Sequence, residues 1–110
     1  MKNKVVFELH CLKTENLNTV ITVSIDSKII IYGCEYGSII KEITGDFDYE
    51  YYLEINKINT IKFKLLKSLT SFDDLKDFFI KKFSGEDGVQ KIKRFCSRNF
   101  IRYEFNVWRQ

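Results

Sequence analysis

Residues 45–55 read GDFDYEYYLEI, and the fold depends on how that stretch is parsed. An extended strand turns successive side chains to opposite faces, so one face takes Phe47, Tyr49, Tyr51, Leu53 and Ile55. The other takes Asp46, Asp48, Glu50, Tyr52 and Glu54. The first set is an apolar stripe that needs a core against it. The second is a row of carboxylates, broken by one tyrosine, with neighbours on the face about 7 Å apart.

Upstream, residues 19–25 alternate Ile21, Val23 and Ile25 against Val20, Thr22 and Ser24, a β-branched pattern that favours a strand. Asp26 and Ser27 supply a tight turn into residues 28–32, which predicts a hairpin over 19–33. Ile29, Ile30, Ile31 and Tyr32 are apolar on both faces, so this strand is expected inside the sheet or under cover. Residues 5–12 read as the first strand, with Val5, Phe7 and Leu9 on one face and Val6, Glu8 and His10 on the other. Residues 13–18 are a polar loop. Gly33 and Gly37 favour a turn, and residues 38–43 fit either a short strand or a single helical turn.

Downstream the period changes. Asn56 is placed to cap a helix in which Ile58, Ile61, Leu65, Leu66 and Leu69 recur at three- to four-residue spacing. A strand using Ile61, Phe63 and Leu65 competes, but the apolar set continues through Leu66 and Leu69 and favours the helix. Ser71 and Asp74 resemble a capping box ahead of Leu75, Phe78, Phe79 and Phe83, with acids early and Lys81 and Lys82 late, as the helix dipole prefers. After a break at residues 84–88, Val89, Ile92, Phe95 and Cys96 outline a third helix that Asn99 can stop. Residues 100–108 return to strand character, with Ile101, Tyr103, Phe105 and Val107 opposite Arg102, Glu104 and Asn106. The order β-β-β-(β)-β-α-α-α-β predicts an α+β fold in one domain, residues 1–110. It is a two-layer arrangement, mainly an antiparallel sheet of four to five strands with about three helices inserted before the last strand.

Composition narrows the functional classes. Ten Phe and six Tyr give a 110-residue chain enough apolar area for a core. Residues 1–56 carry five Lys against nine acids, whereas residues 57–110 carry thirteen Lys or Arg against six acids. The charge is therefore a dipole along the chain. No apolar run is long enough to span a membrane. Glu8 and His10 interrupt the apolar run after Lys2 and Lys4, which argues against a secretory leader. Cys11, Cys34 and Cys96 are scattered and odd in number, so buried thiols in a reducing, cytoplasmic setting are expected instead of a disulfide framework or structural zinc.

Three constellations could carry function. The acidic row Asp46, Asp48, Glu50 and Glu54 could hold a hard cation through oxygen ligands, yet it matches no metal-enzyme spacing. With Tyr52 at its centre, it reads as a protein interface: an aromatic anchor in a charged surround. His10, beside Glu8, would need a nearby nucleophile to act as a base, and a thiol- or metal-dependent enzyme is the remote alternative. Lys91, Lys93, Arg94 and Arg98 form a basic patch that could contact nucleic acid, although Phe95, Phe100 and Tyr103 fit core positions better than stacking platforms. No phosphate-cradling glycine motif occurs, and no cofactor is implied.

The hairpin IDSKIIIYG, the stretch EITGDFDYEYYLEI, the helix start NKINTIKFKLL and the late strand IRYEFNVW together resemble small bacterial immunity proteins that accompany polymorphic or contact-dependent toxins. That resemblance implies a non-enzymatic cytoplasmic protein that binds a cognate toxin tightly, with Asp46, Asp48, Glu50, Tyr52 and Glu54 as the contact residues. The basic second half departs from a simple acidic inhibitor and leaves open a contact through the helices.

Overall fold

In the computed structural model the described residues are 4–15, 17–37, 48–85 and 87–109, excepting the side chains of Asp48, Trp108 and Arg109. The strands are β1 (Val5–Lys13), β2 (Asn18–Ile25), β3 (Ile29–Tyr36), β4 (Asp48–Ile55) and β5 (Glu104–Arg109). Three helices, α1 (Lys57–Leu66), α2 (Phe72–Phe83) and α3 (Gly88–Arg98), lie between β4 and β5. The strands form one antiparallel sheet in the order β1-β2-β3-β4-β5, so the last strand returns beside the strand that precedes the helices. This is the α+β architecture expected from the sequence. Asp46, Phe47 and the ambiguous residues 38–43 lie outside the described residues.

The helices pack on one face of the sheet. Ile21, Val23, Ile25, Ile29, Ile31, Leu53 and Ile55 meet Phe63, Leu75, Phe79, Phe83, Ile92 and Cys96 in one buried cluster. Alternation along β2, β3 and β4 puts these side chains inward, and burying each large aliphatic contributes roughly 1.5–3 kcal/mol. Gly33 stands opposite Tyr51 in the register, and a Cβ at that position would overlap the Tyr51 ring. The ring needs that space because it also packs against Tyr49 and Phe105, each at 5.8 Å between centroids.

Gly33 to Tyr36 continue β3 where the sequence favours a turn, and the last strand starts at Glu104 and not at residue 100. Two further expectations are corrected. His10 does not share the outward face with Val6 and Glu8. A β-bulge shifts the β1–β2 register between Glu8 and His10, so that His10 pairs with inward-facing Ile21. One extra residue reverses the alternation beyond it. The second correction concerns α1. Asn56 caps the helix as anticipated, its side chain accepting from the Asn59 amide at 2.9 Å, but the buried residues are Thr60 and Phe63. Ile58, Ile61, Leu65 and Leu66 face solvent, and of the anticipated stripe Leu69 alone packs against the core. Phe63 sets the rotation. It stacks on Phe79 at 5.5 Å and meets Phe78 at 5.6 Å and Phe95 at 5.0 Å, an aromatic cluster that aliphatic side chains on the other side of α1 cannot replace.

α2 and α3 follow their patterns. The Ser71 hydroxyl accepts from the Asp74 amide at 3.1 Å, while the Asp74 carboxylate accepts from the amide and hydroxyl of Thr70. Those bonds to the ionised form hold the Asp74 carboxyl below its ordinary range. Leu75, Phe79 and Phe83 on α2 and Val89, Ile92 and Cys96 on α3 are buried. Among the described residues no helix is long and apolar enough to cross a membrane.

Candidate protein-binding face

With the helices on one side, the other face of the sheet carries no described element. The register builds it in cross-strand rows. Val6, Ser24, Ile30, Glu54 and Glu104 form one row; Glu8, Thr22, Tyr32, Tyr52 and Asn106 form the next. Beyond the bulge come Cys11, Val20, Cys34, Glu50 and the position of Trp108, then Lys13, Asn18, Tyr36 and the position of Asp48. The centre is therefore the pair Tyr32 and Tyr52, surrounded by Glu8, Glu50, Glu54 and Glu104.

Of the five interface residues expected from the sequence, Glu50, Tyr52 and Glu54 share this face. Asp48 occupies the register position opposite Tyr36, and Asp46 is outside the described residues. The Tyr32 hydroxyl donates to Glu50 Oε1 at 2.9 Å, and Lys28 pairs with Glu54 at 3.2 Å. Glu54 and Glu104 stand directly opposite each other, a like-charge pair that Lys28 partly offsets. Burial, then the bond to Glu50, pushes the Tyr32 phenol up to about 12. Sequence reading gave Tyr32 and Glu104 no interface role, and it named Glu8 only as a neighbour of His10. The signal for them is cross-strand register, which appears only once the strands are paired.

The Tyr32 shift has a measurable consequence. Because the folded-state value lies above the unfolded one of about 10, the protonated phenol's contribution to stability is complete below pH ~10 and is lost as pH rises towards 12. Spectrophotometric titration at 295 nm should show late-ionising phenols, one of which Tyr32→Phe removes while Tyr51, also raised by burial, remains.

The basic patch is rearranged. Lys91, Arg94 and Arg98 line a cleft of about 370 Å³ together with Lys67 and Lys82, over a floor of Phe78, Phe83 and Phe95. Lys91 also pairs with Asp87 at 3.3 Å and donates to the Ser84 carbonyl at 3.2 Å. Lys93 leaves the group: its Nζ lies 3.4 Å from the Phe105 ring centroid, and burial lowers its pKa. Lys82 belongs to the same basic segment of the sequence, whereas Lys67 was missed because tertiary packing, not spacing, brings the end of α1 to α3.

The remaining chemistry is sparse. His10 is half-buried, and its Nε2 is enclosed with no hydrogen-bond partner among the described residues. Of the three thiols expected to be buried, Cys96 alone is, with burial pushing it up to about 12 so that its thiolate is disfavoured; Cys34 is intermediate and Cys11 is exposed. Glu35, its carboxyl raised by burial, lines a cleft of about 170 Å³ with Tyr49, Tyr51 and Phe105. Among the described residues no three of His, Cys, Asp and Glu converge as a metal-binding group. Comparison of the chain with protein-family models, curated proteins and solved structures finds no match.

Proposed function

We propose that the protein is a non-catalytic binding module, an immunity protein that neutralises a cognate toxin in the cytoplasm by covering it without turnover. The observation that carries this reading is the sheet face that no described element covers, where Tyr32 and Tyr52 stand side by side within a surround of Glu8, Glu50, Glu54 and Glu104. Paired tyrosines offer large, stiff contact area with a polar tip, the side-chain type enriched where binding energy concentrates. Carboxylates around them speed encounter with a basic partner and reject acidic ones. A toxin whose own site grips phosphate would present such a basic surface. The experiment is to mix the purified protein with the product of the gene adjacent to its own and measure complex formation. A stable stoichiometric complex that abolishes the partner's activity supports the reading, and two proteins that elute apart reject it.

A second reading, nucleic-acid binding, is favoured by the cleft that gathers Lys67, Lys82, Lys91, Arg94 and Arg98 over aromatic side chains. It requires retention on single-stranded RNA or DNA at low salt that weakens steeply as salt rises. Neutralising Lys91, Arg94 and Arg98 together should abolish that retention. No retention at 50 mM salt (about the lower limit of such titrations) removes the reading.

A further inference from the structure

The outward side of α1 is apolar in a way that the described residues do not use. Ile58, Ile61 and Leu65 point away from the core at 77%, 48% and 76% exposure, and Leu66 borders them at 42%. Single exposed aliphatics are ordinary, but four on one short helix make a patch of the kind that marks interfaces. Phe100 adds an independent observation. It follows the end of α3 with a left-handed backbone, φ 58°, where the β-carbon crowds the carbonyl and glycine is the favoured residue. The Ile101 amide closes this left-handed turn on the Cys96 carbonyl at 2.9 Å, but Phe100 itself is 81% exposed, so its side chain gains little packing against the described residues. Lys62 ties Phe100 to the helix, donating to the Phe100 carbonyl at 2.6 Å with its Nζ 6.0 Å from the ring centroid. Since Lys62 is one turn from both Ile58 and Leu66, Phe100 borders the same apolar stripe.

Charge identifies the occupant. α1 contains Lys57, Lys62 and Lys64, and the helix has no acid. A second copy docked symmetrically through this face would set the lysines against each other. An acidic surface would pair with them. We propose that the outward face of α1, together with Phe100, is a docking surface for an amphipathic acidic helix of a partner protein. Apolar side chains of that helix cover Ile58, Ile61, Leu65 and Phe100, and its carboxylates meet the flanking lysines. The site lies on the helical layer and selects the charge opposite to that selected by the sheet face, so the two proposals succeed or fail separately.

The probe is a fluorescent synthetic helix of about five turns, with Leu at the 3- to 4-residue spacing of an amphipathic stripe and Glu beside it. The control peptide carries Lys in place of each Glu. Anisotropy titration against the full chain should show the Glu peptide binding at least tenfold tighter than the Lys peptide, a preference reduced by salt. Leu65→Ser and Phe100→Gly should each weaken the Glu peptide about tenfold. Phe100→Gly should also raise the thermal midpoint, an effect that a merely structural aromatic would reverse. Equal affinity for the two peptides, no binding, or binding unchanged by Leu65→Ser overturns the proposal. So does a dimer in light scattering that Leu65→Ser dissolves. Capture by phosphatidylglycerol vesicles in preference to the Glu peptide overturns it in favour of a lipid surface.

Discussion

Phe63→Ala is expected to remove about 3–5 kcal/mol of folding stability, whereas Leu65→Ala, two residues along the same helix, changes it by less than about 0.5 kcal/mol. Phe63 is fully buried and contacts three other rings, so its loss leaves a cavity among stiff aromatics that cannot collapse into it. Leu65 is 76% exposed and gives up little when truncated. For a domain whose total stability is of order 5–15 kcal/mol, the first change approaches the limit of folding and the second is silent. Urea unfolding followed by circular dichroism reads both. The opposite ranking would mean that α1 is rotated to bury its aliphatic stripe, and the docking surface proposed on that stripe would vanish with it.

The second large effect concerns binding. Glu50→Lys combined with Tyr52→Ala should weaken the proposed complex at least about 25-fold, because a central tyrosine contributes roughly 2 kcal/mol and each 1.4 kcal/mol is tenfold. The reversed charge also deprives the Tyr32 hydroxyl of its acceptor and repels a basic partner during approach. Both residues lie on the face away from the buried cluster, so the variant should keep its circular dichroism spectrum and unfold cooperatively. Surface plasmon resonance should show slower association from the charge and faster dissociation from the lost ring. Unchanged kinetics would place the interface elsewhere.

How far the sequence could be read depended on the element. β4 was legible because its alternation is strict, and Tyr51, Leu53 and Ile55 point inward as the pattern requires. α2 was legible for a similar reason: a capped start, acids before lysines, and Leu75, Phe79 and Phe83 at helical spacing. α1 misled because counting apolar positions weighs every aliphatic equally. Four of them face water so that one phenylalanine can enter the aromatic cluster. His10 misled because a bulge leaves no mark in a residue pattern; it depends on how β1 meets β2. The candidate face was half visible, since Glu50, Tyr52 and Glu54 share a strand. Tyr32 and Glu8 join them only through the antiparallel register across β1, β2, β3 and β4.

Hydroxyl-radical footprinting of the free protein and of its complex with the neighbouring gene's product reports directly on which side chains the partner covers. The sheet-face account predicts that Tyr32, Tyr36 and Tyr52 lose most of their labelling in the complex while Ile58, Leu65 and Phe100 keep theirs. Full labelling of Tyr32 and Tyr52 in a stoichiometric complex, with protection confined to the helical layer, would contradict it.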